Sequence, residues 1–144
     1  MKKSVIVAST VLALFVLGSA IIAWSVFQNR AGTPDLTNVK SFTDDNFEAD
    51  VVQASKTLPI LVDFYADWCF PCRMLEPILE EVAKDLKGLA VVGRVDTEKN
   101  LIARRFGIRR IPAVFVIKDG EIKSAFYGVV PKETIVQALK ESGS

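Results

Sequence analysis

Apolar and polar positions divide the chain into two unlike parts. Ser4 to Phe27 is apolar on every face and carries no charged residue. From about Thr37 onward, apolar positions recur with alternating strand and helix periods. Val39 to Phe42 reads as a short strand, and Thr43-Asp44-Asp45 as a helix start with Phe47, Val51 and Ala54 at helical spacing behind it. Ile60 to Tyr65 is a strand apolar on both faces except for Asp63. Leu75, Ile78, Leu79, Val82, Ala83 and Leu86 form the stripe of a long amphipathic helix, with Pro77 inside it and expected to kink it. Leu89 to Val95 reads as another buried strand and Lys99 to Arg105 as a short helix. Ala113 to Ile117 and Glu121 to Tyr127 flank the turn signal Asp119-Gly120 and predict a hairpin. Pro131 suits a first helical position, before the stripe Ile135, Val136 and Leu139. The order βαβαβα, then ββα, predicts an α/β sheet, parallel at first and closed by an antiparallel hairpin.

The uncharged N-terminal run is about two dozen residues long, enough to cross a bilayer. Two readings compete for it. A cleavable signal sequence needs a shorter apolar core and a small-x-small site, which Gly18-Ser19-Ala20 supplies. An uncleaved anchor better explains why the run continues through Ile21, Ile22, Trp24, Val26 and Phe27, with aromatics at its far end. Residues 1–30 are therefore read as a membrane anchor (or signal sequence), 31–37 as a polar linker and 38–144 as the folded domain. Lys2 and Lys3 outnumber Arg30 across the run, so the N-terminus is expected in the cytoplasm and the domain outside it, on the periplasmic or cell-surface side.

Composition adds little beyond this. Only three of the 18 basic residues and none of the 17 acidic ones precede Ala31, so the domain is mildly acidic. That balance gives no footprint for nucleic acid. Arg104, Arg105, Arg109 and Arg110 form a local basic cluster, read as a solvated face or as a positive rim that lowers a thiolate pKa or recruits an acidic partner.

The chemistry lies in Trp68-Cys69-Phe70-Pro71-Cys72, which holds both cysteines of the chain. A Cys-x-x-Cys pair between a strand and a helix reads as a dithiol/disulfide redox site. Zinc is excluded as the alternative, because there is no His and no third Cys to complete its shell. At this spacing one thiol meets the helix N-terminus, which favours the thiolate, and the other lies one turn on, within disulfide reach. Cys69 is the expected nucleophile with an exposed sulfur, and Cys72 the resolving thiol. Asp63 is the candidate general base: a carboxyl in an apolar strand is costly to ionise, which raises its pKa toward neutrality. Trp68 and Phe70 frame the cysteines as cover or as a platform for substrate chain.

These residues resemble a known family. Val62 to Met74, with Trp68-Cys69-x-Pro71-Cys72 at its centre, is similar to the active-site stretch of thioredoxins. Pro77 is similar to the family's helix-kinking proline, Phe106 to Pro112 to its cis-proline loop, and Gly128 to a glycine after its hairpin. The resemblance covers roughly Asn38 to Ser144. It implies a thioredoxin fold, a central mixed sheet flanked by helices, here behind an N-terminal transmembrane helix. It also implies a cis Pro112 that leaves the Ile111 backbone free to pair with a substrate strand beside Cys69. With Trp68, Phe70 and Pro71, these two residues make the expected substrate-binding set. Three positions depart from the family pattern: Phe70 replaces the usual Gly, Arg110 a small residue and Arg94 a Lys. An N-terminal anchor is usual in extracytoplasmic relatives, several of which carry an insertion that this chain lacks.

The function expected is a thiol–disulfide oxidoreductase, a protein-disulfide reductase through Cys69 and Cys72. A disulfide oxidase or isomerase on the same scaffold, and a redox-silent tethered chaperone, are the alternatives. No cofactor or metal is expected, since there is no Gly-rich nucleotide motif and no room for a flavin domain. Electrons must then come from a second protein, with a membrane thiol carrier as one option.

Overall fold

The computed structural model describes residues 39–144. The anchor and the whole linker expected from the sequence lie outside them. Among the described residues no helix is long and apolar enough to cross a membrane.

Five strands make one sheet in the order β1-β3-β2-β4-β5. They are β1 (Lys40–Phe42), β2 (Ile60–Tyr65), β3 (Val91–Asp96), β4 (Ala113–Lys118) and β5 (Glu121–Tyr127). The strands β1, β3 and β2 run parallel, β4 is antiparallel to β2, and β5 is antiparallel to β4. The helices are α1 (Phe70–Asp85), α2 (Ile102–Arg105) and α3 (Lys132–Ser142). The continuous apolar runs of β2 and β4 reflect burial on both faces. Leu61, Val92, Val114 and Val116 pack against Leu75, Leu79 and Val82 of α1 and Ile135 and Leu139 of α3. The other face buries Phe42, Phe47, Val51, Val62, Phe64 and Phe115. Lys132 of α3 pairs with Glu81 and Asp85 of α1 at 2.9 and 2.8 Å. β5, mostly exposed, closes the edge with Glu121 and Lys123 on it.

Four local expectations need correction. The segment after β1 is not an α-helix but a π-helical turn, Glu48–Gln53, running into a 3₁₀ turn, Ala54–Lys56. Its end is tied to the hairpin: buried Ser55 accepts from the Asp119 N–H at its carbonyl and from the Gly120 N–H at its hydroxyl, both at 2.9 Å. Leu89 is exposed and β3 begins at Val91, after the chain turns at Gly88 with φ 81°. The short helix begins at Ile102 and not at Lys99, because Asp44 accepts from the Leu101 and Ile102 N–H groups at 2.8 Å each. Pro131 caps α3 from outside the helix, with φ −60° and ψ 145°, and does not start it.

Candidate active site

β2 delivers the site and α1 carries it. The Ile60–Tyr65 strand ends, the chain turns through Asp67 and Trp68, and Cys69 becomes the N-cap of α1. Cys69 Sγ accepts from the Cys72 N–H at 3.2 Å, so one orphan donor of the first turn points at this sulfur. Pro71 lies in the first turn, where its missing N–H costs nothing. Cys69 and Cys72 form a disulfide, with Cα atoms 5.3 Å apart.

Cys72 is fully buried and Cys69 is 3 % exposed. The freely exposed first sulfur expected from the sequence is thus absent in this disulfide form. Ala66 and Ile111 pack against the pair. Cys69 still borders an open groove of about 520 Å³, which Cys72 does not reach. Trp68, Phe70, Pro71, Ile111, Arg109 and Arg110 line it too. Trp68 and Phe70 are 67 % and 64 % exposed, so they are neither core nor cover. The Trp68 indole N–H donates to Glu98 at 3.0 Å, which holds the ring at the rim. The Arg110 guanidinium lies over the Tyr127 ring at 4.8 Å, while Arg104 and Arg105 stand exposed on α2, away from the groove lining. The basic cluster therefore divides into a solvated half and a half that borders the groove.

The Ile111–Pro112 peptide bond is cis. Pro112 is buried behind Ile111, and its carbonyl accepts from the N–H of Gly128, which sits at φ 86°. Among the described residues, no backbone hydrogen bond engages the Ile111 N–H or C=O.

Asp63 stands apart from the groove. It is fully buried in the middle of β2, in register with Arg94 on β3 and Val114 on β4. Its Oδ2 accepts from Arg94 Nε at 3.0 Å, and its Oδ1 is buried with no hydrogen-bond partner among the described residues. Burial pushes Asp63 up to about 6, because desolvation of the carboxylate outweighs the nearby Arg94 charge. Arg94 also donates to Glu76 of α1 at 2.9 Å and lies over the Tyr65 ring at 3.9 Å. Arg94 and Glu76 border a second cavity of about 590 Å³. Sequence reasoning noted Arg94 as a departure but not as the partner of Asp63, and it missed Glu76. The β2–β3 register sets Arg94 beside Asp63, and the placement of α1 on the sheet brings Glu76 to Arg94; a single sequence signals neither. Among the described residues no group of His, Cys, Asp and Glu is placed to hold a metal ion.

The thioredoxin family model matches residues 38–141. The chain belongs to the thioredoxin family. A thioredoxin of Rickettsia bellii is 43 % identical over 101 residues, 69 % of this chain and 94 % of that protein. A thioredoxin of Chlorobaculum thiosulfatiphilum is 38 % identical over 100 residues, 69 % of this chain and 91 % of its own. The fold matches the structure of a thioredoxin variant from Halobacterium salinarum with a TM-score of 0.68 and 28 % identity, covering 78 % of this chain and 97 % of that one. The sheet and helices are thus a thioredoxin fold, and the chain is a protein-disulfide oxidoreductase. Thioredoxins act on protein disulfides, draw electrons from a reductase partner and need no cofactor, because the redox-active disulfide is part of the protein.

Proposed function

We propose that this thioredoxin is a protein-disulfide reductase, tethered by residues 1–30 and working outside the cytoplasm. One observation carries the reductase reading: a Cys69–Cys72 disulfide at a helix N-terminus, opening on a groove with free backbone groups at Ile111. Tethering is supported by the uncharged run Ser4 to Phe27, and the orientation by Lys2 and Lys3 before it.

In the reduced protein the Cys69 thiolate attacks one sulfur of a substrate disulfide. The Cys69–substrate bond forms, the substrate S–S bond breaks, and the other substrate sulfur leaves as a thiolate. Cys72 then gives its proton to Asp63, directly or through one water, and its sulfur attacks that of Cys69. The Cys69–Cys72 bond forms, the mixed disulfide breaks, and the second substrate sulfur leaves and takes a proton from water. Two electrons pass from dithiol to substrate, and a separate reductase protein restores the dithiol. Trp68, Phe70 and Pro71 hold the substrate chain from one side, and Ile111, set by Pro112, from the other.

The assignment of the thiols is tested by trapping. Cys72→Ser should accumulate mixed disulfides through Cys69, whereas Cys69→Ser should accumulate none. Equal trapping by both variants would defeat it. Phe70 favours a second reading, because it replaces the usual Gly between the cysteines, where side chains tune the potential. The oxidase reading requires the pair to be held oxidised in the cell, and the reductase reading requires it reduced. Acid quenching followed by thiol alkylation separates them.

A further inference from the structure

The Asp63 carboxyl is bare on one side, and its one partner, Arg94, is shared with a third residue. Arg94 offers five donors in a rigid fork and commonly grips a carboxylate with two of them. Here it grips Asp63 with one, from Nε to Oδ2 at 3.0 Å, and Oδ1 stays unpartnered among the described residues. The guanidinium is pinned elsewhere. Its Nη1 donates to Glu76 Oε1 at 2.9 Å, and its face lies over the Tyr65 ring. Glu76 sits on α1, one turn beyond Cys72, and its side chain is half exposed, whereas Arg94 is only 12 % exposed and Asp63 not at all.

We propose that Glu76 is a positioning residue for the reductase reaction: by holding the far edge of the Arg94 guanidinium, it restricts Arg94 to one hydrogen bond on Asp63 and leaves Oδ1 bare to take the Cys72 proton. The role rests on the reductase reading given above. In that step the Cys72 S–H bond breaks, an O–H bond forms at Asp63, and the proton later passes to solvent. A fork on both Asp63 oxygens would instead fix the group as an anion and weaken it as a base. Glu76 also places a negative charge opposite Asp63, which disfavours a second one there. The charged and titratable groups facing this cluster are few. Arg94 comes from β3, Glu76 from α1 and Tyr65 from β2, with Lys40, Glu80 and Lys84 around the adjoining cavity.

Two variants of the full chain separate geometry from charge. Glu76→Gln keeps an acceptor for Arg94 and removes the charge, whereas Glu76→Ala removes both and frees the fork to turn onto Asp63. The Asp63 carboxyl is followed by carbon NMR against pH in the reduced protein, which needs no substrate. In parallel, the pH profile of mixed-disulfide resolution is measured. In Glu76→Ala both midpoints should fall together by about half a pH unit or more. In Glu76→Gln they should fall less than half as far. An unchanged midpoint in Glu76→Ala would overturn the proposal, and so would equal shifts in the two variants, which would make the effect one of charge alone. A wild-type protein that reduces no disulfide would defeat the reductase reading instead, while the NMR titration would still report on the Arg94–Glu76 contact.

Discussion

Desolvation and ion pairing oppose each other at Asp63, and the elevation to about 6 from 3.8 shows which prevails. That elevation corresponds to roughly 3 kcal/mol between the protonated and ionised forms. Folded Asp63 keeps a proton that the unfolded chain has already lost between pH 3.8 and about 6. The stability supplied by the neutral carboxyl is therefore full below pH 3.8 and lost as pH rises through about 6. Asp63→Asn should stabilise the fold by about 1–3 kcal/mol at pH 7, and the gain should vanish near pH 4. Disulfide reduction should slow by up to ~10², the range for losing a general base that water replaces in part. Denaturant melts at several pH values, with insulin reduction alongside, check both. A variant less stable at pH 7 yet fully active would make Asp63 a structural ion. Much of this site was legible in residue types: one acid in an apolar strand, and two cysteines at its end. The Arg94 and Glu76 contacts were not, because they follow from strand register and helix placement. The burial of Cys69 was missed likewise, since Ile111 lies beside it only once the Ile111–Pro112 loop is folded back.

Elements with strong periodicity were read correctly, and those whose ends depend on distant residues were not. The α1 stripe and the β2 run carry their own signals, so their positions follow from local sequence. The start of α2 does not. Asp44, 58 residues before Ile102, accepts from the first two N–H groups at that end, and no local pattern announces it. The same carboxylate holds the segment after β1 against the chain that leads to Ile111. Asp44→Ala should therefore cost about 1 kcal/mol, as for the loss of a helix cap. The loss should appear in urea melts as a lowered midpoint with an unchanged slope. An unchanged midpoint would mean that water replaces the carboxylate at no cost. The turn Glu48–Lys56 is a further case: Ser55 is drawn into the β4–β5 hairpin, and this tie is invisible in the spacing of Phe47, Val51 and Ala54. At Gly93 the missing side chain is a packing requirement, because a Cβ there would run into the Phe42 ring.

For the whole molecule, the family match spans 38–141 and leaves the uncharged run Ser4 to Phe27 outside it. The domain has its own cores on both sheet faces, so nothing in its fold calls for that run. A segment of that length with no charge is costly to keep in water, since each buried CH₂ is worth about 0.8 kcal/mol. A bilayer removes that cost. On the proposed tethering, the charge difference across the run would set its direction and keep Lys2 and Lys3 on the cytoplasmic side. The protein should sediment with membranes and resist extraction by alkaline carbonate, and its intact mass should match the uncleaved chain. An external protease, added to cells with a permeable outer layer, should digest the domain. Replacing Lys2 and Lys3 with Glu should lower the outward-facing fraction, because Arg30 would then be the one basic side chain adjoining the run. A soluble species beginning at Ile21 would show that Gly18-Ser19-Ala20 is a cleavage site. A domain protected from the external protease would place the dithiol on the cytoplasmic side.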